Sequence, residues 1–491
     1  MCGFVGLIAH SEVAPMLFVG LQTLQHRGQD AAGIGTLGPD GRFHLHKEMG
    51  MVVQALPLEV IERMPGTAGI AHVRYPTAGV GIGDREDAQP FVTRRPGILA
   101  AHNGNVTNIP DLEASLRGAG LRILSNCDSE AILLVLAEEL TALRGARHTT
   151  EDLVLAVDRL MRRVRGAYSV VAVLEIEDAP TLIAFRDPHG IRPAVYGKDS
   201  TGAWMVASES VALDVLGFEV EGHVPAGGLV ILRPDQPAVV RRIRHDAAHH
   251  CVFERIYFAR PDSRMEDGRV ASVRWALGER LAEEWKRKGF EADVVVAVPD
   301  TSRDAAQAIS EKLGIPNREG FIKNRYSGRT FIMPNQATRE NALRLKLNPM
   351  REVFEGKRVI LVDDSIVRGS TVRRLVDLVK SLAPKEVHVA IFSPPVAHPC
   401  FYGIDMPTRD ELIAAKFAPE HLEERLATEL GVRSVTFISA EGLAAVAGKR
   451  ACMACFTGDY VVPVDSEERA FILKNRSAQG PRSTAMPRGV P

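Results

Sequence analysis

The sequence lacks any marked excess of charge. Lys and Arg together number 60 and Asp and Glu number 61 among 491 residues, which leaves a formal net charge of -1. Without a dominant sign of charge, no overall field attracts nucleic acid or an anionic membrane. We therefore expect neither nucleic-acid nor membrane partners, and each basic cluster has to be interpreted locally.

Long apolar runs and frequent cysteines are also missing. No run of about 18 apolar residues occurs, and the start MCGFVGLIAH has neither the basic segment nor the long apolar core of a signal peptide. These absences predict a cytoplasmic protein. In such a protein, only six cysteines among 491 residues favour catalysis or metal binding over disulfides. The length suits two or three domains.

The most informative stretch is VILVDDSIVRGST at 359–371. Four apolar residues predict a buried strand, Asp363 and Asp364 follow at its carboxyl end, and a turn of small residues leads into a helix. A helix amino terminus at that edge offers N–H groups to a phosphate, whereas two carboxylates suit sugar hydroxyls or a hard cation such as Mg²⁺. A buried strand followed by an Asp-capped helix is the alternative that involves no ligand.

This stretch resembles the motif that binds phosphoribosyl pyrophosphate (PRPP) in type I phosphoribosyltransferases. The resemblance implies that the two carboxylates address the ribose hydroxyls and Mg²⁺, and that the following loop holds the 5-phosphate. The implied PRPP-binding residues here are Asp363, Asp364, Ser365, Arg368, Gly369, Ser370 and Thr371. A second stretch, VVVAVPDTSRDAA at 294–306, resembles the pyrophosphate loop of the same family, in which Thr301 would help to hold Mg²⁺.

A basic stretch, KNRYSGRTFIMPNQ at 323–336, lies between these two motifs. Lys323, Arg325 and Arg329 alternate there with small residues and an aromatic ring, a composition that an RNA-contacting loop also has. Beside a phosphate site we favour a lid that closes over PRPP, with Lys323 and Arg329 neutralising the pyrophosphate and excluding water.

Cys2 becomes the first residue of the chain once Met1 is removed. An α-amino group is a weaker base than a lysine side chain and can accept the thiol proton, so such a cysteine carries its own base and can act as a nucleophile. A buried, unreactive thiol is the alternative. Five segments resemble, in the same order, those of the N-terminal-nucleophile glutamine amidotransferases: MCGFVG, QHRGQDAAGIG (25–35), AHVRYPTAG (71–79), AHNGNVTN (101–108) and CDSE (127–130).

The side chains in these segments match the chemistry of glutamine. Glutamine needs a cation for its carboxylate, an anion for its ammonium group and an oxyanion hole beside the thiol. Arg74 can bind the carboxylate and Asp128 the ammonium group. Asn103, through its side-chain amide, and Gly104, through its backbone N–H, can stabilise the oxyanion. Without a ligand, the Asn-Gly pair suits a hairpin turn and Asp128 suits the N-cap of a helix over 131–143.

Four further cysteines come from three segments of the chain: Cys251, Cys400, Cys452 and Cys455. Four thiolates can bind Zn²⁺ or a [4Fe-4S] cluster, and spacing does not choose between them. The settings CVFERIYFARPDS, PCFYGIDMPTRDEL and CMACFTGDY resemble the iron–sulfur class of the glutamine PRPP amidotransferases, which implies a cluster with a structural role. Cys127 has no partner in this pattern, and we expect a buried thiol beside the glutamine site.

The resemblance to the glutamine PRPP amidotransferase family extends to about residue 463. It implies a two-domain α/β chain, with an αββα four-layer glutaminase domain at 2–240. A type I phosphoribosyltransferase domain, a parallel sheet flanked by helices, follows at 251–470. The turn residues and basic run of 233–250 predict the linker, and the Pro-, Gly- and Ser-rich stretch 475–491 predicts a disordered tail.

The family's activity is the transfer of ammonia from glutamine to PRPP, which gives 5-phosphoribosylamine in the first step of de novo purine synthesis. The resemblance also implies inhibition by purine nucleotides, and we expect a homo-oligomer, either a dimer or a tetramer. Three alternatives fit only part of the chain. A sugar-phosphate amidotransferase would lack the motif at 359–371, a nucleic-acid-binding regulator would lack the Cys2 set, and a nucleobase phosphoribosyltransferase needs no glutaminase.

Overall fold

The structure of the protein is a computed structural model. The described residues are 2–75, 85–143, 147–266, 268–324 and 347–477. The predicted lid residues Arg325 and Arg329 lie outside these ranges, as does most of the predicted tail at 475–491. Within the ranges, none of the helices has the length and apolar character that crossing a membrane requires.

The first domain is built on two stacked antiparallel sheets. The strands of the seven-stranded sheet are, in spatial order, Glu219–His223, Val195–Lys198, Trp204–Ala207, Gly3–Ile8, Ala68–Arg74, Ala31–Leu37 and Phe43–Met49. Those of the six-stranded sheet are Val239–Arg242, Gly228–Leu232, Ala179–Arg186, Gly166–Ile176, Gly97–Val106 and Phe91–Arg94. Apolar side chains such as Phe4, Leu99 and Val171 fill the space between the sheets.

Helices cover the outer face of each sheet. Ala14–Thr23, Val52–Ala55, Leu58–Ile61 and Val211–Val215 pack on the seven-stranded sheet. Ile109–Gly118, Asp128–Ala142 and Thr150–Arg163 pack on the six-stranded sheet. A capping box between Thr149 and Asp152 begins the last of these helices, since the Thr149 hydroxyl accepts the Asp152 N–H. The four layers confirm the predicted αββα architecture.

The second domain contains a parallel sheet of four strands in the order Val294–Ala297, Arg358–Asp363, Glu386–Ile391 and Ser434–Phe437. Their Val- and Ile-rich runs are buried, as expected for a sheet covered on both faces. The longer helices around it are Val270–Arg287, Arg303–Leu313, Ser370–Lys380, Leu422–Leu430, Ala440–Ala447 and Ser466–Ser477.

Shorter elements complete the described part of the chain. The short α-helices are Arg351–Phe354 and Ala454–Thr457, and Glu254–Phe258 is a π-helix. The 3₁₀ turns are Gln25–Arg27, Arg85–Asp87, Arg409–Glu411, Ile413–Lys416 and Pro419–His421. Phe321–Lys323 pairs with Leu347–Pro349, Arg264–Met265 with Gly268–Arg269, and His250–Cys251 in parallel with Ala451–Cys452.

Two predicted boundaries differ from the structure. The strand Val239–Arg242 pairs with Gly228–Leu232, so the first domain extends beyond residue 240 and the linker is only 243–249. This strand lies at the sheet edge with its arginines exposed, which is why its basic run has the composition of a linker. The helix Ser466–Ser477 continues past residue 470 and occupies the start of the predicted tail.

Candidate active site

Cys2 stands immediately before the strand Gly3–Ile8 in the seven-stranded sheet. The backbone N–H of Tyr75 donates to Cys2 Sγ at 3.3 Å, and the thiol lies 3.5 Å from the Tyr75 carbonyl oxygen. On the other side, Arg27 Nε donates to the Cys2 carbonyl oxygen at 2.8 Å. Both the thiol and the main chain of Cys2 are therefore held by hydrogen bonds.

Arg74 and Asp128 are the predicted ligands for the carboxylate and the ammonium group of glutamine. Arg74 ends the strand Ala68–Arg74, and Asp128 begins the helix Asp128–Ala142. Burial raises the pKa of the Cys127 thiol, the Asp128 carboxylate raises it further, the Arg74 guanidinium opposes them, and Cys2 also contributes. Tyr75, which directly follows Arg74, holds the Cys2 thiol, and Asp128 Oδ2 accepts the N–H of Val106 at 2.9 Å on the strand that carries Asn103 and Gly104.

The predicted oxyanion residues lie within a strand, so a hairpin turn at this position is excluded. Asn103 and Gly104 belong to Gly97–Val106 and pair with Ser169 and Tyr168. The Asn103 side-chain amide donates one N–H to Ser208 Oγ at 2.6 Å, and its second N–H remains available to donate to an oxyanion.

Only glycine fits at position 104. Its φ is +147°, and a Cβ there would lie 1.9 Å from the Ala167 carbonyl oxygen.

Two residues of the pocket were missed by the sequence reasoning. Asp87 lies 3.4 Å from the Arg74 guanidinium and accepts the Asn126 N–H at 2.8 Å. Nothing in its local sequence points to this role. Tyr75, which holds the Cys2 thiol, directly follows Arg74 in AHVRYPTAG. Its position next to a predicted glutamine ligand was therefore a sequence signal for a place in this site.

A second site lies at the carboxyl ends of the parallel strands, where the two predicted phosphate loops meet. Thr301 Oγ1 donates to Asp364 Oδ2 at 2.6 Å, and Ser302 Oγ donates to Asp363 Oδ1 at 3.4 Å. Ser365 Oγ donates to Asp364 Oδ1 at 2.6 Å. The structure therefore brings together Thr301 and the two carboxylates, and it adds Ser302, which the sequence reasoning did not select.

The electrostatics of the carboxylate pair fit a cation. Burial raises the pKa of Asp363 well above its usual range, and the neighbouring Asp364 carboxylate raises it further. Burial also raises the pKa of Asp364, although hydrogen bonds from Ser365 and Thr301 oppose the shift. The buried Asp364 carboxylate, the half-buried Asp363 carboxylate and the Thr301 hydroxyl form the all-oxygen donor set that Mg²⁺ prefers. A divalent cation there would relieve the repulsion between the two carboxylates.

The loop after the carboxylates leads to the amino terminus of Ser370–Lys380. Gly369 caps this helix with a φ of +78°, so the turn needs glycine. Ser370 and Thr371 occupy the first helical turn, where backbone N–H groups are free to bind an anion. Of the predicted basic ligands, Arg368 faces Glu411 at 3.4 Å and Lys323 pairs with Asp300, whereas Arg329 lies outside the described residues.

The four remaining cysteines gather in one buried cluster of the second domain. Cys251 and Cys452 are paired in register between two short parallel strands. Burial raises the pKa of Cys455 well above its usual range, and Cys400, Cys251 and Cys452 add to the shift. Within the described ranges, no group of three or more His, Cys, Asp or Glu side chains is arranged to hold one metal ion. Sulfur is the donor atom that soft metals prefer, so the chemistry of the four cysteine side chains fits such a metal.

One side chain lies close to both sites. Burial raises the pKa of Tyr257 to about 12, and the charges of Asp364, Tyr75 and Asp363 add to this effect. Tyr75 holds the Cys2 thiol and the two carboxylates belong to the second site, so the Tyr257 phenol interacts electrostatically with groups of both sites.

Each of the two domains matches a known protein family. Residues 77–215 match the glutamine amidotransferase domain family, and residues 274–398 match the phosphoribosyl transferase domain family. The chain is 43% identical over 424 residues to the amidophosphoribosyltransferase of Haemophilus influenzae, covering 84% of this chain and 83% of that protein. It is 40% identical over 489 residues to that of a Synechocystis species, covering 97% and 94%.

Solved structures agree over nearly the full length. One is a glutamine PRPP amidotransferase from B. subtilis complexed with ADP and GMP, with a TM-score of 0.83, 37% identity and coverage of 95% of this chain and 98% of that one. Another, described as the allosteric regulatory enzyme of purine biosynthesis, has a TM-score of 0.84 and 36% identity, with 96% and 99% covered.

Proposed function

Since the chain belongs to the amidophosphoribosyltransferase family, we propose that Cys2 generates the ammonia that the Asp363–Asp364 site consumes. The reaction itself is the glutamine-dependent amination of PRPP, the first step of purine biosynthesis. Glutamine and PRPP are the substrates. The presence of both catalytic domains in one chain excludes a nucleobase phosphoribosyltransferase and a sugar-phosphate amidotransferase.

In the proposed first half-reaction, the Cys2 thiolate attacks the side-chain carbonyl carbon of glutamine. Arg74 and Asp128 orient the substrate, and the Gly104 N–H together with the Asn103 amide stabilises the tetrahedral oxyanion. The Cys2 α-amino group, which accepts the thiol proton, returns it to the amide nitrogen as this intermediate collapses, so ammonia leaves and a glutamyl thioester remains, which water hydrolyses to glutamate. The observation that carries this assignment is that the N–H of Tyr75, the residue after Arg74, donates to Cys2 Sγ at 3.3 Å, while Asp128 Oδ2 accepts the N–H of Val106 at 2.9 Å, on the strand of Asn103 and Gly104.

In the second half-reaction, ammonia attacks C1 of the ribose while pyrophosphate leaves. The first turn of Ser370–Lys380 binds the 5-phosphate, and Asp363 and Asp364 orient the ribose hydroxyls. Thr301, Asp363 and Asp364 would hold Mg²⁺, which when bound supplies positive charge for the pyrophosphate. The lid stays a prediction because most of it lies outside the described residues.

The test of this function is an assay of purified protein with glutamine, PRPP and Mg²⁺. Release of pyrophosphate that depends on glutamine or ammonia is expected. Cys2→Ala should abolish the use of glutamine but keep synthesis from ammonia, because ammonia bypasses the first site. Equal loss of both activities, or normal use of glutamine by Cys2→Ala, would contradict the assignment.

We also propose that Cys251, Cys400, Cys452 and Cys455 hold a [4Fe-4S] cluster with a structural role, with Zn²⁺ as the alternative. The resemblance to the iron–sulfur class and the mutual proximity of the four thiols support this proposal. Anaerobically purified protein should contain about four irons per chain and absorb visible light. Cys455→Ser should lose the iron, whereas Cys127→Ser, a buried thiol outside the group, should keep it. Stoichiometric zinc without visible absorbance would refute the cluster.

Three further expectations stay predictions: a homo-oligomer, inhibition by purine nucleotides and a cytoplasmic location. The B. subtilis structure was solved with ADP and GMP bound, which supports a test of purine nucleotides as inhibitors. Size-exclusion chromatography coupled to light scattering would measure the oligomeric state.

A further inference from the structure

Residues 401–403 of the second domain pack against Gly97–Val106, the strand of the first domain that carries Asn103 and Gly104 and is called the oxyanion strand below. Asn105 directly follows Gly104, and its Nδ2 donates to the Phe401 carbonyl oxygen at 2.9 Å across the domain interface. Asn105 and Phe401 are 4% and 2% exposed. Water therefore cannot replace this hydrogen bond at little cost.

The same segment touches Gly104 itself. Gly403 has a φ of +98°, and a Cβ placed on it would lie 2.6 Å from the Gly104 carbonyl oxygen and 3.0 Å from the Gly104 Cα. On its other side, Gly104 lies against the Ala167 carbonyl oxygen. The backbone of Gly104 is thus enclosed between Ala167 of its own domain and Gly403 of the other.

The segment Phe401–Gly403 is itself fixed in place. Tyr402 is buried, its hydroxyl donates to the Val462 carbonyl oxygen at 2.7 Å, and its N–H donates to Cys400 Sγ at 3.3 Å. Ala167 and Ile191 of the first domain belong to the same buried cluster as Cys400 and Phe401. A rigid cysteine-rich core therefore lies directly behind the oxyanion strand.

We propose that Asn105 and Gly403 are positioning residues for glutamine hydrolysis, which set the orientation of Gly104 from across the domain interface. This inference rests on the proposed role of Gly104 as an oxyanion donor. An oxyanion hole stabilises the transition state only when its donors point at the position that the oxyanion will occupy. The first domain thus depends on the second for the geometry of its own chemistry.

The experiment compares Asn105→Ala and Gly403→Ala with matched controls in the full-length protein. Asn108→Ala is the control for the first variant, because Asn108 is also 4% exposed and its Nδ2 also donates to a carbonyl oxygen at 2.9 Å, that of Arg163 within the first domain. Gly448→Ala is the control for the second, since Gly448 has a φ of +79° but no atom within 4 Å of its would-be Cβ. The Gly448→Ala variant therefore measures the effect of backbone strain alone, without a contact to Gly104.

Both interface variants should lower kcat for glutamine hydrolysis about 10- to 100-fold, while the KM for glutamine changes little. Ammonia-dependent synthesis should stay within about twofold of the wild type in the same protein samples, and both controls should keep the wild-type kcat. Alkylation of Cys2 by iodoacetamide should proceed at the wild-type rate, because displacement at a saturated carbon forms no oxyanion. A merely structural defect would not separate these readouts.

Unchanged glutamine kcat in Asn105→Ala, or parallel loss of the glutamine and ammonia activities, would overturn the inference. If Gly403→Ala fails to fold, Asn105→Ala decides alone. The proposed function fails separately, through normal glutamine use by Cys2→Ala, so the two failures are distinguishable.

Discussion

His72 lies in the interior of the first domain, on the strand that ends at Arg74. Burial lowers the pKa of His72 to about 3, and the neighbouring His102 adds to the shift. Burial lowers the pKa of His102 as well, although Asp128 opposes this effect. His72 and His102 are therefore neutral imidazoles at neutral pH.

This burial predicts acid sensitivity. The unfolded chain binds a proton at His72 near pH 6.5, whereas the folded protein binds it only near pH 3. The folded state is therefore fully favoured above about pH 6.5 and loses stability as the pH falls towards 3. From this side chain the loss at pH 5 is about 2 kcal/mol.

Urea unfolding at pH 7 and pH 5 measures the effect. His72→Asn should reduce the difference in stability between the two pH values by roughly this amount, whereas His421→Asn, at an exposed position, should keep the full difference. An unchanged difference in His72→Asn would show that another group dominates.

At the scale of elements, the loop between Arg358–Asp363 and Ser370–Lys380 joins a buried strand to an anion-binding helix end. It turns at Gly369, whose would-be Cβ lies 2.4 Å from Ile413 Cδ1. Ile413 and Val372 belong to one apolar cluster. The loop 364–369 therefore packs against Ile413, which is more than 40 residues away in sequence.

Gly369→Ala should therefore raise the KM for PRPP about 10-fold or more, because a left-handed residue with a side chain costs about 1–2 kcal/mol and Ile413 must move as well. Gly314→Ala is the matched control. Gly314 caps the carboxyl end of the helix Arg303–Leu313 with a φ of +68°, and nothing lies within 4 Å of its would-be Cβ. Ammonia-dependent kinetics isolate the effect from the glutamine site. A KM equal to that of the control would argue against this loop as the phosphate site.

The elements of the second site were predictable because strand, acidic pair, small-residue turn and helix follow one another within 359–371. The contact of Asn105 with Phe401 was not predictable, since the partners are 296 residues apart and a buried asparagine gives no local sign of its partner. The pairing of Arg368 with Glu411 was missed for the same reason. The edge strand Val239–Arg242 was missed because an exposed, basic edge has the composition of a loop.

At the scale of the whole molecule, a buried network of charges joins the two domains. Arg27 and Arg192 of the first domain both bind Glu254 of the second, and Arg27 also binds Glu209 at 2.5 Å. Burial alone would lower the pKa of Arg27, but the Glu254 and Glu209 carboxylates outweigh it and raise the pKa. Each of these buried charges is therefore stabilised only while its oppositely charged partners are present.

Glu254→Gln should lower the free energy of unfolding by on the order of 3–5 kcal/mol, because it leaves two buried guanidinium groups without part of their compensation. Glu113→Gln removes an exposed pair with Arg117 and should cost less than about 1 kcal/mol. Urea titration of both variants beside the wild type gives the comparison. Similar stability losses in the two variants would mean that the network adds little to the domain interface.

The parallel pair of His250–Cys251 with Ala451–Cys452 has a consequence for synthesis of the chain on the ribosome. The first domain is complete by residue 242 and can fold while translation continues. The strand at 250–251 can bind the first domain early, since the Cys251 N–H donates to the Ile191 carbonyl oxygen, but it lacks its parallel partner until residues 451–452 emerge, some 200 residues later. Ala167 and Ile191 share a buried cluster with second-domain residues that include Cys452, Cys455 and Phe456, so a nascent chain stalled before residue 451 leaves this apolar cluster incomplete and a chaperone would have to shield it.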